Sequence, residues 1–420
     1  MFWLIENKEQ FEVLKNSGFK EAFVEVISNN PYQHPTQNSI IGFYVRPIQG
    51  HKGYILPISH PECENLFEDE VYLYLKGLET IYVRDKKEFL HYTILKQLVD
   101  ITLGSPPYIP PQTTAHSTLY RRFPDLPTVN QLVPITKHYE VCEQIYDDLE
   151  HRVTTAVNPF YNDKATLVFN AIERNGIKIN KDEFEKNFDR SSPDEYVFTS
   201  YNFKTLTTRP SNKYDGINYA ALPKANGCRK SFIPRNDVFV EFDISAYHPT
   251  LSGMLVDYDF GDYDIHKAFA SMYGVDYDKA KELTFKQLYG GVFNEYKDLP
   301  FFKATSEYIR TTWETFQTEG VITCPISNYE YKRDELENMN PQKLFNYILQ
   351  NMETSLNVEV LFRIFKLLKG RNTKLVLYTY DSFLLDVDNS ELEVLEQIKQ
   401  VFYKLKLQLK EKNGINYDFT

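Results

Sequence analysis

Residues 239–251, FVEFDISAYHPTL, and 375–383, LVLYTYDSF, decide how this chain is read. In each, an apolar run of strand length, rich in β-branched and aromatic residues, ends in an aspartate: Asp243 in the first, Asp381 in the second. A strand buried by its neighbours holds such a carboxylate rigidly at a sheet edge. Two of them on adjacent strands can share a pair of Mg²⁺ ions, the arrangement that stabilises both attacking and leaving oxygens in phosphoryl transfer. Asp at a strand end serves equally as a turn or helix cap, so the pair alone leaves both readings open.

Between these two stretches, DKAKELTFKQLYG at 278–290 repeats Lys281, Phe285 and Tyr289 every four residues, which on a helix makes one stripe of a cation and two aromatics. Such a stripe can set an ammonium on a triphosphate and a flat ring under a base. It also suits an amphipathic helix whose aromatics enter the core. Working outward, residues 1 to 100 alternate strand-like runs at 22–27, 40–45, 53–58 and 79–83 with a helical stretch at 9–16, an α/β pattern. Prolines break up residues 105–135, which predicts a loop crossing the surface. Helical periodicity resumes near 137 and runs toward 172, Gly176 ends a helix, and a short strand follows at 177–179. Further helices are expected at 278–288 and 342–368, a domain boundary is expected near 150, and there is no internal repeat.

At 420 residues the chain exceeds what one core usually organises, so two or three domains are expected. Hydrophobic content of 42% and charged content of 25% are ordinary, and no apolar stretch approaches the roughly 20 residues of a membrane span. Glu6, Lys8 and Glu9 interrupt the opening where an export signal needs an apolar core, which predicts a cytoplasmic protein, in the host cytoplasm if it is viral. Cys63, Cys142, Cys228 and Cys324 lie far apart with no Cys-x-x-Cys pair, which speaks against a zinc ribbon or a disulfide framework and predicts reduced thiols. A net charge of −11 disfavours nucleic-acid binding overall. Locally, however, Arg209, Lys213, Lys224, Arg229, Lys230 and Arg235 face only Asp215, which reads as a basic segment or a solvated loop.

The order of these pieces resembles the family A DNA polymerases, of the DNA polymerase I-like, phage type. FDISAYHPTL at 242–251 is similar to motif A, DIH at 264–266 to the short motif whose His faces the nucleotide phosphates, KELTFKQLYG at 281–290 to the fingers-helix motif B, and YTYDSF at 378–383 to motif C. TTRPSN at 207–212, INYAALPKANGCRKSFIP at 217–234, NYILQ at 346–350 and IERNGIKIN at 172–180 resemble flanking segments in the same order. The resemblance implies an α/β (α+β) chain with a right-hand polymerase domain over 151–420. Its activity would be template-directed DNA synthesis from dNTPs on primer–template DNA, in phage replication, with two Mg²⁺ held by Asp243 and Asp381. It further implies that Lys281 and His266 meet the triphosphate, that Phe285, Tyr289 and His248 meet the nucleotide, and that Arg209, Asn218, Arg229, Lys230, Asn346 and Gln350 meet DNA.

Residues 1–150 resemble the 3′–5′ exonuclease domain of this family, an RNase H-like fold, with its carboxylates eroded: Glu25-Val26-Ile27 stands at the Asp-x-Glu position, and His91 and Val141 at later Asp positions. Asp85, Glu88 and Glu143 are nearby. A retained domain without nuclease activity is implied. Fewer than about thirty residues separate the helix near Lys181 from TTRPSN, where the family carries a long helical thumb, and this implies weak grip on duplex and a protein partner that supplies it. Motif A carries His248 where the family has a Glu that excludes the ribose 2′-hydroxyl. Motif C reads Tyr380-Asp381-Ser382, similar to the His-Asp-Ser of phage RNA polymerases. Tyr277 stands where the family has an Arg one turn before the motif B Lys, with Lys279 close by. An RNA-synthesising relative and a catalytically silent replisome subunit are the alternative readings.

Overall fold

The computed structural model describes residues 3–103, 120–121, 132–153, 155, 160–191, 194–261 and 264–419, so most of the proline-rich stretch lies outside the described residues. The chain divides into two units, Met1–Arg174 and Asn175–Thr420.

The first unit runs α1 (Lys8–Lys15), β1 (Glu21–Ser28), β2 (Ile40–Pro47), β3 (Tyr54–Pro57), α2 (Glu68–Lys76), β4 (Thr80–Val83), α3 (Lys86–Tyr92), β5 (Leu98–Asp100) and α4 (Ile135–Val153), and α5 (Phe160–Asn175) reaches its boundary. Its sheet has the order β3-β2-β1-β4-β5, with β1, β2 and β3 antiparallel and β4 and β5 parallel to β1. Helices cover both faces, which is why β1 reads as a nearly continuous apolar run. Ala22, Val24 and Val26 share a core with Phe11, Val71, Leu75 and Phe89 of α1, α2 and α3. On the other face Phe23 and Ile27 meet Val141, Ile145 and Leu149 of α4.

Polar residues of this unit are bound to one another. The Arg84 guanidinium donates to Glu25 at 2.9 Å and to Glu88 at 2.7 Å, Asp85 caps α3, and Asp100 accepts from the backbone of Lys86, Thr102 and Leu103. Glu143 accepts from Tyr44, Arg46 and the Gly53 amide. Glu173 is held by Lys87 and His91, both at 2.7 Å. Burial would raise the Glu173 carboxyl, but these two partners outweigh it and hold it at about 2.

The second unit opens with β6 (Ile177–Ile179) and α6 (Lys181–Phe188), followed by β7 (Tyr196–Val197), β8 (Tyr201–Asn202), β9 (Ser211–Tyr214), β10 (Ile217–Asn218) and β11 (Phe232–Ile233). Then come β12 (Val238–Ile244), α7 (Tyr247–Leu255), α8 (Ile265–Tyr273), α9 (Tyr277–Gly290), α10 (Pro300–Glu319) and the hairpin β13 (Val321–Thr323) with β14 (Glu330–Lys332). The chain closes with α11 (Pro341–Leu367), β15 (Lys374–Thr379), β16 (Ser382–Val387), α12 (Glu393–Tyr403) and β17 (Leu409–Gly414). Four of these strands make one antiparallel sheet, β15-β16-β12-β17, with β12 in its interior. Phe402 of α12 packs its ring on Phe242 and Phe383, which fixes α12 under the middle of that sheet. Among the described residues of 181–206, α6 is the only helix, eight residues long.

The sequence expectations hold for the strands at 22–27, 40–45 and 79–83 and for the helices at 278–288 and 342–368. The periodicity from 137 to 172 proves to be two helices, α4 and α5. All four cysteines are unpaired.

Candidate active site

Asp243 sits one residue before the end of β12, between Ser382 on β16 and Lys410 on β17. Asp381 is not on a strand: it occupies the two-residue turn Tyr380–Asp381 that joins β15 to β16. The strand adjacent to β12 is therefore β16, and the hairpin turn carries the second carboxylate to it. The Ile244 amide donates to the Asp381 carbonyl at 2.8 Å, which pins the turn to the end of β12. Tyr380 holds φ +61°, a left-handed backbone that glycine usually supplies in such turns. Its carbonyl accepts from Asn357 Nδ2 at 2.6 Å, and the Arg209 guanidinium stacks on its ring at 3.7 Å.

Around the two aspartates lies a cavity of about 240 Å³ lined by Arg209, Asp243, the 244–248 segment, His266, Lys281, Phe285, Tyr289, Glu353, Asp381 and Lys410. The stripe read from the sequence thus faces the aspartates, with the rings of Phe285 and Tyr289 stacked 5.8 Å apart. His266 reaches the same wall from the first turn of α8, where Asp264 caps the helix by accepting from the backbone of His266 and Lys267.

Burial, and next the charge of Asp243, push the Asp381 carboxyl up to about 6. Burial also raises Asp243, against the pull of Lys412, Lys224 and Lys281. Among the described residues neither carboxylate is paired with another side chain, and the charge of Asp243 raises Asp381, a repulsion that a bound cation would relieve. Among the described residues no group of three or more His, Cys, Asp or Glu gathers as a protein cage. The donor set present, two carboxylates lining one cavity, is one that suits Mg²⁺, which takes one or two carboxylates and fills its remaining positions with water and substrate phosphate oxygens.

The opposite wall is a hydrogen-bonded relay. Tyr289 Oη meets His248 Nδ1 at 2.6 Å, and His248 Nε2 meets the Glu353 carboxylate at 2.6 Å. Arg209 lies 3.4 Å from the other oxygen of Glu353. Both His248 and Glu353 are buried. The sequence reading missed Glu353, although a signal existed: Asn346, Gln350, Glu353 and Asn357 recur at helical spacing along one side of α11.

Burial first, then Lys281 and Lys410, depress the His266 imidazolium to about 4 despite Asp264, so at neutral pH it is an uncharged ring. The buried Nδ1 has no hydrogen-bond partner among the described residues.

The remaining predicted DNA contacts lie outside this cavity. Asn218 and Lys230 are exposed. Arg229 turns inward, donating to the Leu222 carbonyl at 2.9 Å and covering the Tyr417 ring at 4.6 Å. Gln350 accepts from the Thr207 hydroxyl at 3.1 Å, which ties α11 to the TTRPSN segment, and the side-chain oxygen of Asn346 is buried without a partner.

No protein-family model matches the chain, and no curated protein matches it. Among solved structures, it is similar to the POL domain of Pol1 from M. smegmatis in complex with a DNA primer-template and dNTP, with a TM-score of 0.68, 14% sequence identity, and 98% of each chain covered. At that identity the likeness is one of fold: the chain has the fold of a polymerase domain.

Proposed function

We propose that this chain is a template-directed DNA polymerase of the family A type that works in phage replication and extends a primer 3′-hydroxyl with dNTPs. The observation that carries the reading is one cavity that gathers Asp243 and Asp381 with Lys281, His266, Phe285 and Tyr289, residues drawn from β12, the β15–β16 turn, α8 and α9. Asp243 and Asp381 would hold two Mg²⁺ ions. When bound, these lower the pKa of the attacking hydroxyl and offset charge on the phosphates. Lys281 meets the phosphate tail as a point charge, and His266, uncharged, offers it an N–H. The stacked rings of Phe285 and Tyr289 form a flat apolar wall for the new base pair, and Arg209, stacked on Tyr380, stiffens the turn that carries Asp381.

Residues 1–150 are read as an RNase H-like exonuclease domain without nuclease activity, ahead of a polymerase domain at 151–420. The mixed sheet order β3-β2-β1-β4-β5 supports the fold. The loss of nuclease activity is supported by Arg84, whose guanidinium occupies the carboxylates of Glu25 and Glu88. A second reading, RNA synthesis, is favoured by His248 in place of the family's Glu.

Primer extension on a short primed DNA template with magnesium and either dNTPs or rNTPs tests the proposal, beside Asp243→Ala and Asp381→Ala. Extension with dNTPs that each substitution reduces by about 10³-fold or more is expected for residues that hold the reacting groups. A preference for rNTPs would replace the reading with the second one, and no extension at low salt and high enzyme concentration would overturn both.

A further inference from the structure

The cavity holds a cation that the sequence reading did not identify. In the antiparallel pairing of β17 with β12, Lys410 stands opposite Asp243 and Lys412 opposite Glu241, so the pleat sends all four side chains to one face. The two lysines then differ. Lys412 is bound to Glu241 at 2.7 Å. Among the described residues Lys410 has no carboxylate within ion-pair distance; its Nζ donates to the Tyr277 hydroxyl at 3.0 Å and lies 5.4 Å from the centre of that ring.

Tyr277 is the first residue of α9, one turn before Lys281, and its ring meets His266 edge-on at 5.6 Å. The hydroxyl therefore hangs the Lys410 ammonium beside the wall formed by His266 and Lys281. Lys279, the basic residue near the Tyr277 position, does not share this place: it lies exposed and is bound to Glu282 at 3.0 Å. Arg209 is balanced by Glu353. Lys281 and Lys410 are thus the cavity-lining cations without a carboxylate partner among the described residues. Their two charges match the two carboxylates of the site, and a triphosphate tail brings several negative charges that a single ammonium does not offset.

We propose that Lys410 is a second phosphate-binding residue of this site, gripping the β- and γ-phosphates of the incoming nucleotide together with Lys281, and that Tyr277 is the positioning residue that aims it. The inference rests on the reading that the site takes nucleoside triphosphates. It assigns the last strand of the unit a role in substrate binding, and it makes the Tyr277–Lys410 pair a source of positive charge beside the N-terminal turn of α9, where Lys279 is bound to Glu282.

The test uses the full chain and its Lys410→Met, Lys410→Arg, Tyr277→Phe and Lys281→Met variants. Each is titrated calorimetrically with inorganic tripolyphosphate, a dNTP and the matching deoxynucleoside monophosphate, and each is assayed for single-nucleotide incorporation. Lys410 is exposed, so thermal melting should be unchanged. Losing one charge-assisted contact should weaken tripolyphosphate and dNTP binding about tenfold in Lys410→Met, raise KM for dNTP in step, and leave monophosphate binding alone. Arginine should recover most of the loss, and Tyr277→Phe should lose about threefold, as removal of one neutral hydrogen bond does.

Unchanged tripolyphosphate and dNTP affinity in Lys410→Met, or equal loss of the monophosphate, would overturn the proposal while Lys281→Met and primer extension still report on the polymerase reading. Conversely, tripolyphosphate binding that depends on Lys410 in a protein that extends no primer would uphold this phosphate site and sink the polymerase. A wild-type chain that binds neither tripolyphosphate nor dNTP would remove both.

Discussion

At the scale of single residues, the charge state of His266 is set by what surrounds it. A histidine facing phosphates reads as a cation, yet burial and the two nearby lysines hold it down at about 4, well below the usual imidazole value. Between those two values the folded protein carries a neutral ring where the unfolded chain would carry a proton. Binding a polyanion reverses the balance, because the phosphates screen Lys281 and Lys410 and favour imidazolium. Triphosphate binding at pH 5 to 6 should therefore take up a proton that is not taken up at pH 8. Calorimetry in buffers of different ionisation enthalpy reads this directly, with His266→Gln as the control that abolishes the uptake. In ring-labelled protein, Lys281→Met alone should raise the His266 titration midpoint. Identical proton release at both pH values, or a midpoint unmoved by that substitution, would show that the lysines do not set its state.

The element that bears most on the site is the β15–β16 hairpin. Its turn places a tyrosine at φ +61°, a conformation that costs a residue with a Cβ roughly 1–2 kcal/mol relative to glycine. The cost is offset by the Asn357 bond to the turn carbonyl and by Arg209 lying on the Tyr380 ring. Two substitutions separate these contributions. Tyr380→Ala keeps the strained backbone and loses the stacking, so it should be the less stable of the two. Tyr380→Gly loses the stacking and relieves the strain, and should melt higher than the alanine variant by an amount worth about 1 kcal/mol. Equal stability would mean that the turn is not strained. This hairpin also marks where sequence reading reaches its limit. The apolar run and its terminal Asp were legible, and the strand was placed correctly, but a two-residue turn without Gly or Asn gives no turn signal, so Asp381 read as a strand end. Helix α2 was missed for a similar reason: Phe67 at its N-cap offers no capping side chain, and the start signal is absent. Lys281, Phe285 and Tyr289 were legible because one helix carries all three at a fixed period. Lys410 was not, since only the pairing of β17 with β12 brings it to the site, whereas Glu353 was missed although it continues the helical spacing of Asn346 and Gln350 on α11.

For the whole molecule the question is how a chain with a net charge of −11 would hold the polyanion proposed for it. The basic segment does less than its composition promises. Arg229 is spent on a main-chain carbonyl and Tyr417, and Arg235 on the Gly176 carbonyl and Asp386, while Arg209 faces the cavity. That leaves Lys213, Lys224 and Lys230 as its exposed cations. With α6 the only helix among the described residues of 181–206, few further backbone contacts are expected from the region where the family resemblance implies a thumb. Three or four phosphate contacts give a salt dependence of log K against log salt with a slope of about −3 to −4, and weak binding at physiological ionic strength. The isolated chain should therefore add only short runs of nucleotides before it dissociates, and charge-removing substitutions at Lys213, Lys224 and Lys230 should each flatten the slope by about 0.9. Primer extension under single-hit conditions with a trap for free enzyme measures the run length. Runs of hundreds of nucleotides would mean that the grip is already present in this chain. Short runs that lengthen when a replication partner is added would place the missing clamp in that partner.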